Sequence, residues 1–223
     1  MKLDAGIYEF MKAFRDDRLA KMDSGEIPVS LADGPATVIH LLPSSAFEPG
    51  AAIDLSAVAR EHSLSGLAGE QWGLSYDFEG VLVWESSDAE ETRSYVQVFR
   101  NGVVEIADTG LIAGGADGEK TDIRTFERRV SETIRNWIGL LAKAGARGPL
   151  ALVLTLLHVR DWSLDGGDTG DSRLVPRSIN RDDLLAPETF LEDLASDPTP
   201  AFKALFDPIW NAAGYAGSKS FPR

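Results

Sequence analysis

The stretch LALVLTLLHV, residues 150–159, offers no polar face at either strand or helix spacing. Ten residues are short for a buried helix, and Gly148-Pro149 punctuates the run at its start. A strand that is apolar on both alternating faces has to be central in a sheet, and the sheet needs cover on both sides. The sheet is therefore expected to be covered on at least part of its second face.

The rest of the chain supplies the sheet and its covers. TVIHLLP is a β-branched, apolar strand stopped by Pro43. FEGVLVWE reads as another strand, and SYVQVFRNGVVEIA (residues 94–107) as a hairpin. Asn101-Gly102 flanked by alternating apolar residues predicts a type I′ turn, with positive φ at both positions. IDLSAVAREH fits a short helix or an edge strand, SGLAGEQWG a loop, and RLVPRSIN an edge strand around Pro176.

Helical spacing is clearest where Ile123, Phe126, Val130, Ile134, Trp137, Ile138 and Leu141 share one stripe that Gly145 ends. An N-terminal helix over residues 5–24 carries Ile7, Phe10, Met11, Phe14 and Met22, with Leu19 beside them. Its Arg15, Asp16, Asp17, Arg18 and Lys21 form a face expected to meet solvent. Towards the C-terminus, Pro187, Pro200 and Pro208 each suit a helix's first turn, with Thr199 and Asp207 as N-caps and Gly214 as a stop.

These elements predict one α+β domain over residues 1–223, with the sheet and long helix in 36–180 and short helices in 187–214. The expected architecture is a mainly antiparallel sheet of about five or six strands, one long helix on a face and terminal helices packed around it. PAS-like and GAF-like sensor folds share that layering.

Chemistry is harder to find. With no cysteine, the chain has no disulfide, thiolate metal site or cysteine nucleophile. A net charge of -13 opposes nonspecific binding of nucleic acid, which rests on Lys and Arg neutralising phosphates. No apolar run reaches the roughly 18 residues that span a bilayer. MKLDAGIYEF lacks the features of a secretory signal, so the expected place is the cytoplasm.

The glycines at 110, 114, 115 and 118 match neither common phosphate-binding spacing. Asp161, Asp165, Asp168 and Asp171 lack calcium-loop regularity. His40, His62 and His158 lie apart in sequence, outside any metal or GxSxG motif. No catalytic residue, metal site or cofactor is expected. A hydrolase or nuclease-like effector remains the alternative, and it needs His40 and His158 to meet carboxylates of the 161–171 loop.

Several segments together, FRDDRLAKMDSGEIPVSL, VIHLLPSSAF, FEGVLVW, YVQVFRNGVVEI and LFDPIWNAAGYAGSKSF, carry a resemblance. In this order the chain resembles the companion region that follows a Schlafen-type, AlbA-like DNA-binding domain in many bacterial proteins. The resemblance implies a non-catalytic regulatory, ligand-sensing or self-association module of a DNA-associated protein. Nucleic-acid contact would fall to a separate domain that is not in this chain. It implies a homodimer or a small-molecule ligand as partner, and no membrane. Of the matching residues, Pro43, Gln97, Asn101, Gly102 and Trp210 read as structural. Arg15, Arg18, His40, Arg100 and Asn211, with His158 from the strand above, are the ligand-pocket candidates.

Overall fold

In the computed structural model, residues 4–61, 64–67, 72–85, 91–112, 121–166 and 173–221 are described. The chain begins with α1 (Ala5–Asp23), β1 (Ala36–Pro43), a 3-10 turn (Ser44–Phe47) and α2 (Leu55–Ala59). Then come β2 (Trp72–Tyr76), β3 (Gly80–Glu85), β4 (Ser94–Phe99), β5 (Val104–Asp108) and β6 (Thr121–Asp122). The second half holds α3 (Ile123–Lys143), β7 (Leu150–Leu157), β8 (Leu164–Asp165), β9 (Leu184–Leu185), β10 (Thr189–Leu191) and α4 (Thr199–Ala212).

Among the described residues the main sheet has eight strands in the order β10-β7-β1-β5-β4-β3-β2, with β9 also pairing β7. All its ladders are antiparallel, while β6 and β8 form a separate parallel pair. The fold is α+β with a mainly antiparallel sheet. The all-apolar segment is β7, buried at every position and flanked by β1 on one side and β9 and β10 on the other.

One face packs on α3 and α4. Ile39 and Leu41 of β1, Val104 and Ile106 of β5, and Leu152 and Leu154 of β7 join Phe126, Val130, Ile134 and Trp137 of α3. Phe202, Phe206 and Trp210 of α4 extend this core. The opposite face meets α1, whose Met11 packs with Leu42, Phe99, Val103, Ala151 and Val153.

Where structure and expectation differ, tertiary contacts are the reason. The 94–108 hairpin has positive φ at Gly102 only. Gly102 N–H bonds Phe99 O and Phe99 N–H bonds Val103 O. That is a three-residue connection ending in a glycine bulge, not a type I′ turn. Asn101 is held instead by its side chain, which donates to Ala46 O and accepts from Val103 N–H.

SGLAGEQWG runs into β2, because Trp72 and the residues after it find a partner in β3. IDLSAVAREH forms α2, capped by Asp54. RLVPRSIN forms no ladder among the described residues; Ile179 and Arg177 bond the backbone of Trp162 and Ala213. The helix expected at Pro187 is β10, which β7 captures by pairing. The two helices expected at Pro200 and Pro208 are one, α4, with Pro208 inside it. Its first turn is held by Asp197, whose side chain accepts from Thr199 N–H, while Asp207 bonds Lys203 and Ser218 N–H. The glycine-rich residues 113–120 lie outside the described residues.

Candidate functional site

α1 is anchored by Asp4, whose carboxylate accepts from the N–H groups of Gly6 and Ile7. Its inner face keeps Ile7, Met11, Phe14, Leu19 and Met22 of the predicted stripe against the sheet, but it loses Phe10 and gains two arginines. Met11, Arg15 and Arg18 are its buried residues, whereas Phe10 is 61% exposed. The arginines face inward because carboxylates wait there. Arg15 pairs with Asp16 and with Glu188. Arg18 reaches the middle of the sheet, where Glu105 sits opposite His40 on β1 and Gln97 on β4.

The side chains of Arg18, His40 and Tyr95 close on Glu105. Arg18 Nε donates to Glu105 Oε2 at 2.9 Å and Nη2 to Oε1 at 2.8 Å, a bidentate pair. His40 Nε2 lies 3.0 Å from Oε2, and Tyr95 O–H donates to Oε1 at 2.8 Å. An ionised carboxylate only accepts, so His40 Nε2 is the donor there. The Arg18 guanidinium also stacks over the Phe99 ring, 5.2 Å from its centroid.

Burial pushes the Glu105 carboxyl up, but the hydrogen bonds from Arg18 and His40 outweigh it and hold its pKa at about 2. Burial, and then the Glu105 charge, push the Tyr95 phenol well up. Both Glu105 oxygens are thus occupied and no water reaches them. This cluster ties α1 to the sheet through Arg18, and the Glu105 carboxylate has no oxygen left over; His40 Nδ1 is buried beside it without a hydrogen-bond partner among the described residues.

Beyond α1 the chain turns at Gly25, whose φ is 75°. Residues 26–35 then cross the end of the sheet and are tied down by Thr92. Ala32 N–H bonds Thr92 O, and Thr92 N–H bonds Ser30 O. Under this segment lies a cleft of about 640 Å³. Val38, Ala107 and Leu157 of the sheet and Ile27, Val29 and Leu31 of the crossing segment line it. At one end stand His158, Asp182 and Asp183.

His158 adopts a left-handed backbone, φ 56°, and its N–H bonds Asp183 Oδ1 at 3.2 Å. Its Nδ1 lies 3.8 Å from Asp182 Oδ2, and Arg160 approaches the other Asp182 oxygen at 3.9 Å. One donor atom from each of His158, Asp182 and Asp183 falls within 4.8 Å of the others, all exposed. Among the described residues this is the group whose donor types and spacing could hold a divalent cation.

The predicted candidates therefore scatter. Arg18 and His40 meet at Glu105, and Arg15 packs nearby against Glu188. Arg100 is spent on the β2–β3 turn, donating to the carbonyls of Phe78 and Asp77. Asn211 donates to Tyr215 O at the end of α4. His158 alone stands at the cleft. His40 is shut off from solvent and His158 is exposed, so the two histidines occupy different environments. Of the 161–171 acidic loop, residues 167–171 lie outside the described residues.

Sequence reasoning missed Glu105 and Tyr95, although alternation along β4 and β5 places both on the His40 side of the hairpin. It also missed Asp182 and Asp183 as partners of His158, since nothing local ties residues 182–183 to residue 158. Comparison with family models, with curated proteins and with solved structures finds no match for this chain.

Proposed function

We propose that the chain is a non-catalytic, ligand-sensing module that takes a small molecule with an apolar body and a positively charged group. The observation that carries this reading is the cleft beneath residues 26–35. Its partly exposed Ile27, Val29 and Leu31 suit apolar atoms, and its end is acidic through Asp182 and Asp183, with Asp23 and Asp33 also on its lining. A cation at that end meets complementary charge; an anion meets repulsion. The saturated state of Glu105 supports a binding role over acid–base chemistry. The resemblance to a companion region of DNA-associated proteins fits a sensing module whose nucleic-acid contacts come from another domain, as does the net charge of -13.

Calorimetry with n-alkylamines, n-alkanoates and n-alkanols of one chain length tests this. The amine is expected to bind tightest and the alkanoate weakest. D182N/D183N, which removes both carboxylates, should cut amine affinity at least about tenfold, a loss of about 1.4 kcal/mol. V29W, which fills the cleft from the crossing segment, should abolish binding of all three. Equal binding of amine and alkanoate would overturn the charge reading, and no binding by any of them would overturn the cleft reading.

A further inference from the structure

The two edges of the main sheet are finished differently. At one edge, β9 and β10 are two and three residues long and are followed closely by α4. Short strands of this kind offer little for another strand to pair with. The other edge is β2, WGLSY, whose outer side pairs with no strand among the described residues. It holds no charged residue to repel a neighbour and no Pro to remove a backbone donor.

Its hydrogen-bonding pattern follows from the turn. Asp77 N–H bonds Gly80 O, so this pair points inward. Antiparallel alternation then aims Ser75 and Gly73 at β3, and leaves the N–H and C=O of Tyr76, Leu74 and Trp72 directed outward. The side chains of these three residues share the face that carries Val81 and Val83. Leu74 is 40% exposed and Tyr76 is 58% exposed there.

We infer that β2 is a dimer interface, pairing antiparallel with β2 of a second copy about a two-fold axis at Leu74. The sequence of the strand is its own complement in this arrangement. Leu74 meets Leu74 of the second copy, and Trp72 meets Tyr76, because the two aromatic residues stand equally far from the centre. All three outward-facing residues become hydrogen-bonded pairs, giving about six inter-chain N–H to C=O bonds. An aliphatic pair between two aromatic pairs is a favourable set of cross-strand neighbours. An uncharged edge also suits a second copy better than any charged partner: two chains of net charge -13 meet here with no carboxylate on either strand. The result is one continuous sheet through both protomers, formed independently of the cleft.

The absence of cysteine makes the test clean. Sedimentation and native mass spectrometry of the full chain at micromolar concentration should give twice the 24.1 kDa chain mass. L74K and L74E should each be monomeric, with circular dichroism and melting unchanged, and mixing the two should restore the dimer through opposite charges on the axis. Under mild oxidation L74C should cross-link, since Cα atoms of a hydrogen-bonded pair lie about 5.5 Å apart. Y76C should not, because its counterpart is Trp72. A wild-type monomer would overturn the inference, as would an L74K variant that stays dimeric. Cross-linking of Y76C as readily as L74C would overturn the register. Should L74K fail to fold, the cysteine pair decides.

Discussion

On one face of the sheet α3 buries Ile123, Phe126, Val130, Ile134, Trp137, Ile138 and Leu141; on the other α1 buries Met11, Arg15 and Arg18. The first contact is a wide apolar stripe, and its strength follows the area removed from water. The second is narrow and partly ionic. An ion pair taken out of water gains little net free energy unless its geometry is complete, but breaking it leaves an uncompensated charge. α3 is thus held by the amount of surface it covers, and α1 by the one position in which Arg18 finds Glu105. The same sheet shows that a helix can be placed by quantity of burial or by specificity of pairing.

The largest test of that contrast is E105A, which leaves Arg18, His40 and Tyr95 facing one another without an acceptor. It should cost about 3–5 kcal/mol in urea unfolding, the usual penalty for stranding a buried charge. R18M/E105L, which removes both charges, should recover much of that loss. If E105A costs less than about 1 kcal/mol, the network does not seat α1. The contribution is also pH-dependent. The Glu105 pKa is depressed from 4.5 to about 2 in the fold, so its stabilisation is complete above the unfolded value and is lost as pH falls from about 4.5 to 2. Acid unfolding of wild type and E105Q should therefore converge at the bottom of that window.

On the opposite face, I134A should cost about 2–5 kcal/mol by cavity formation and weaken the whole molecule at once. Hydrogen exchange sharpens the comparison: E105A should speed exchange in α1 before α3, and I134A should speed both together. Simultaneous loss in both variants would break the distinction between the two faces. The smallest effect belongs to the outer side of α3, where Arg128 and Glu132 pair at 3.3 Å with both side chains more than half exposed. R128A should change stability by less than about 0.5 kcal/mol, a baseline for what an exposed ion pair contributes.

The sequence was most legible where one residue type dominates over one period. β7 announces itself by having no polar face, and every predicted residue of the α3 stripe is buried, because apolar periodicity directly encodes which side meets the core. α1 misled for the same reason. Its stripe includes Phe10, which is largely exposed, and its Arg15 and Arg18 look solvated until Glu188 and Glu105 are brought against them from positions far along the chain. β10 resembled a helix start at Pro187 and became a strand because β7 had an edge to share.

The same boundary divides the sites. Local sequence determined the hairpin's position and the α3 core stripe, since each depends on residues within one or two elements, whereas the edge WGLSY, expected to begin in a loop, became a strand by pairing with β3. Tertiary structure alone decided the Arg18–Glu105–His40–Tyr95 cluster and the meeting of His158 with Asp182 and Asp183 at the cleft. Hydrophobic burial is non-directional and leaves a periodic trace in the chain. A polar cluster is set by distances between atoms of remote segments, and no local pattern carries those distances.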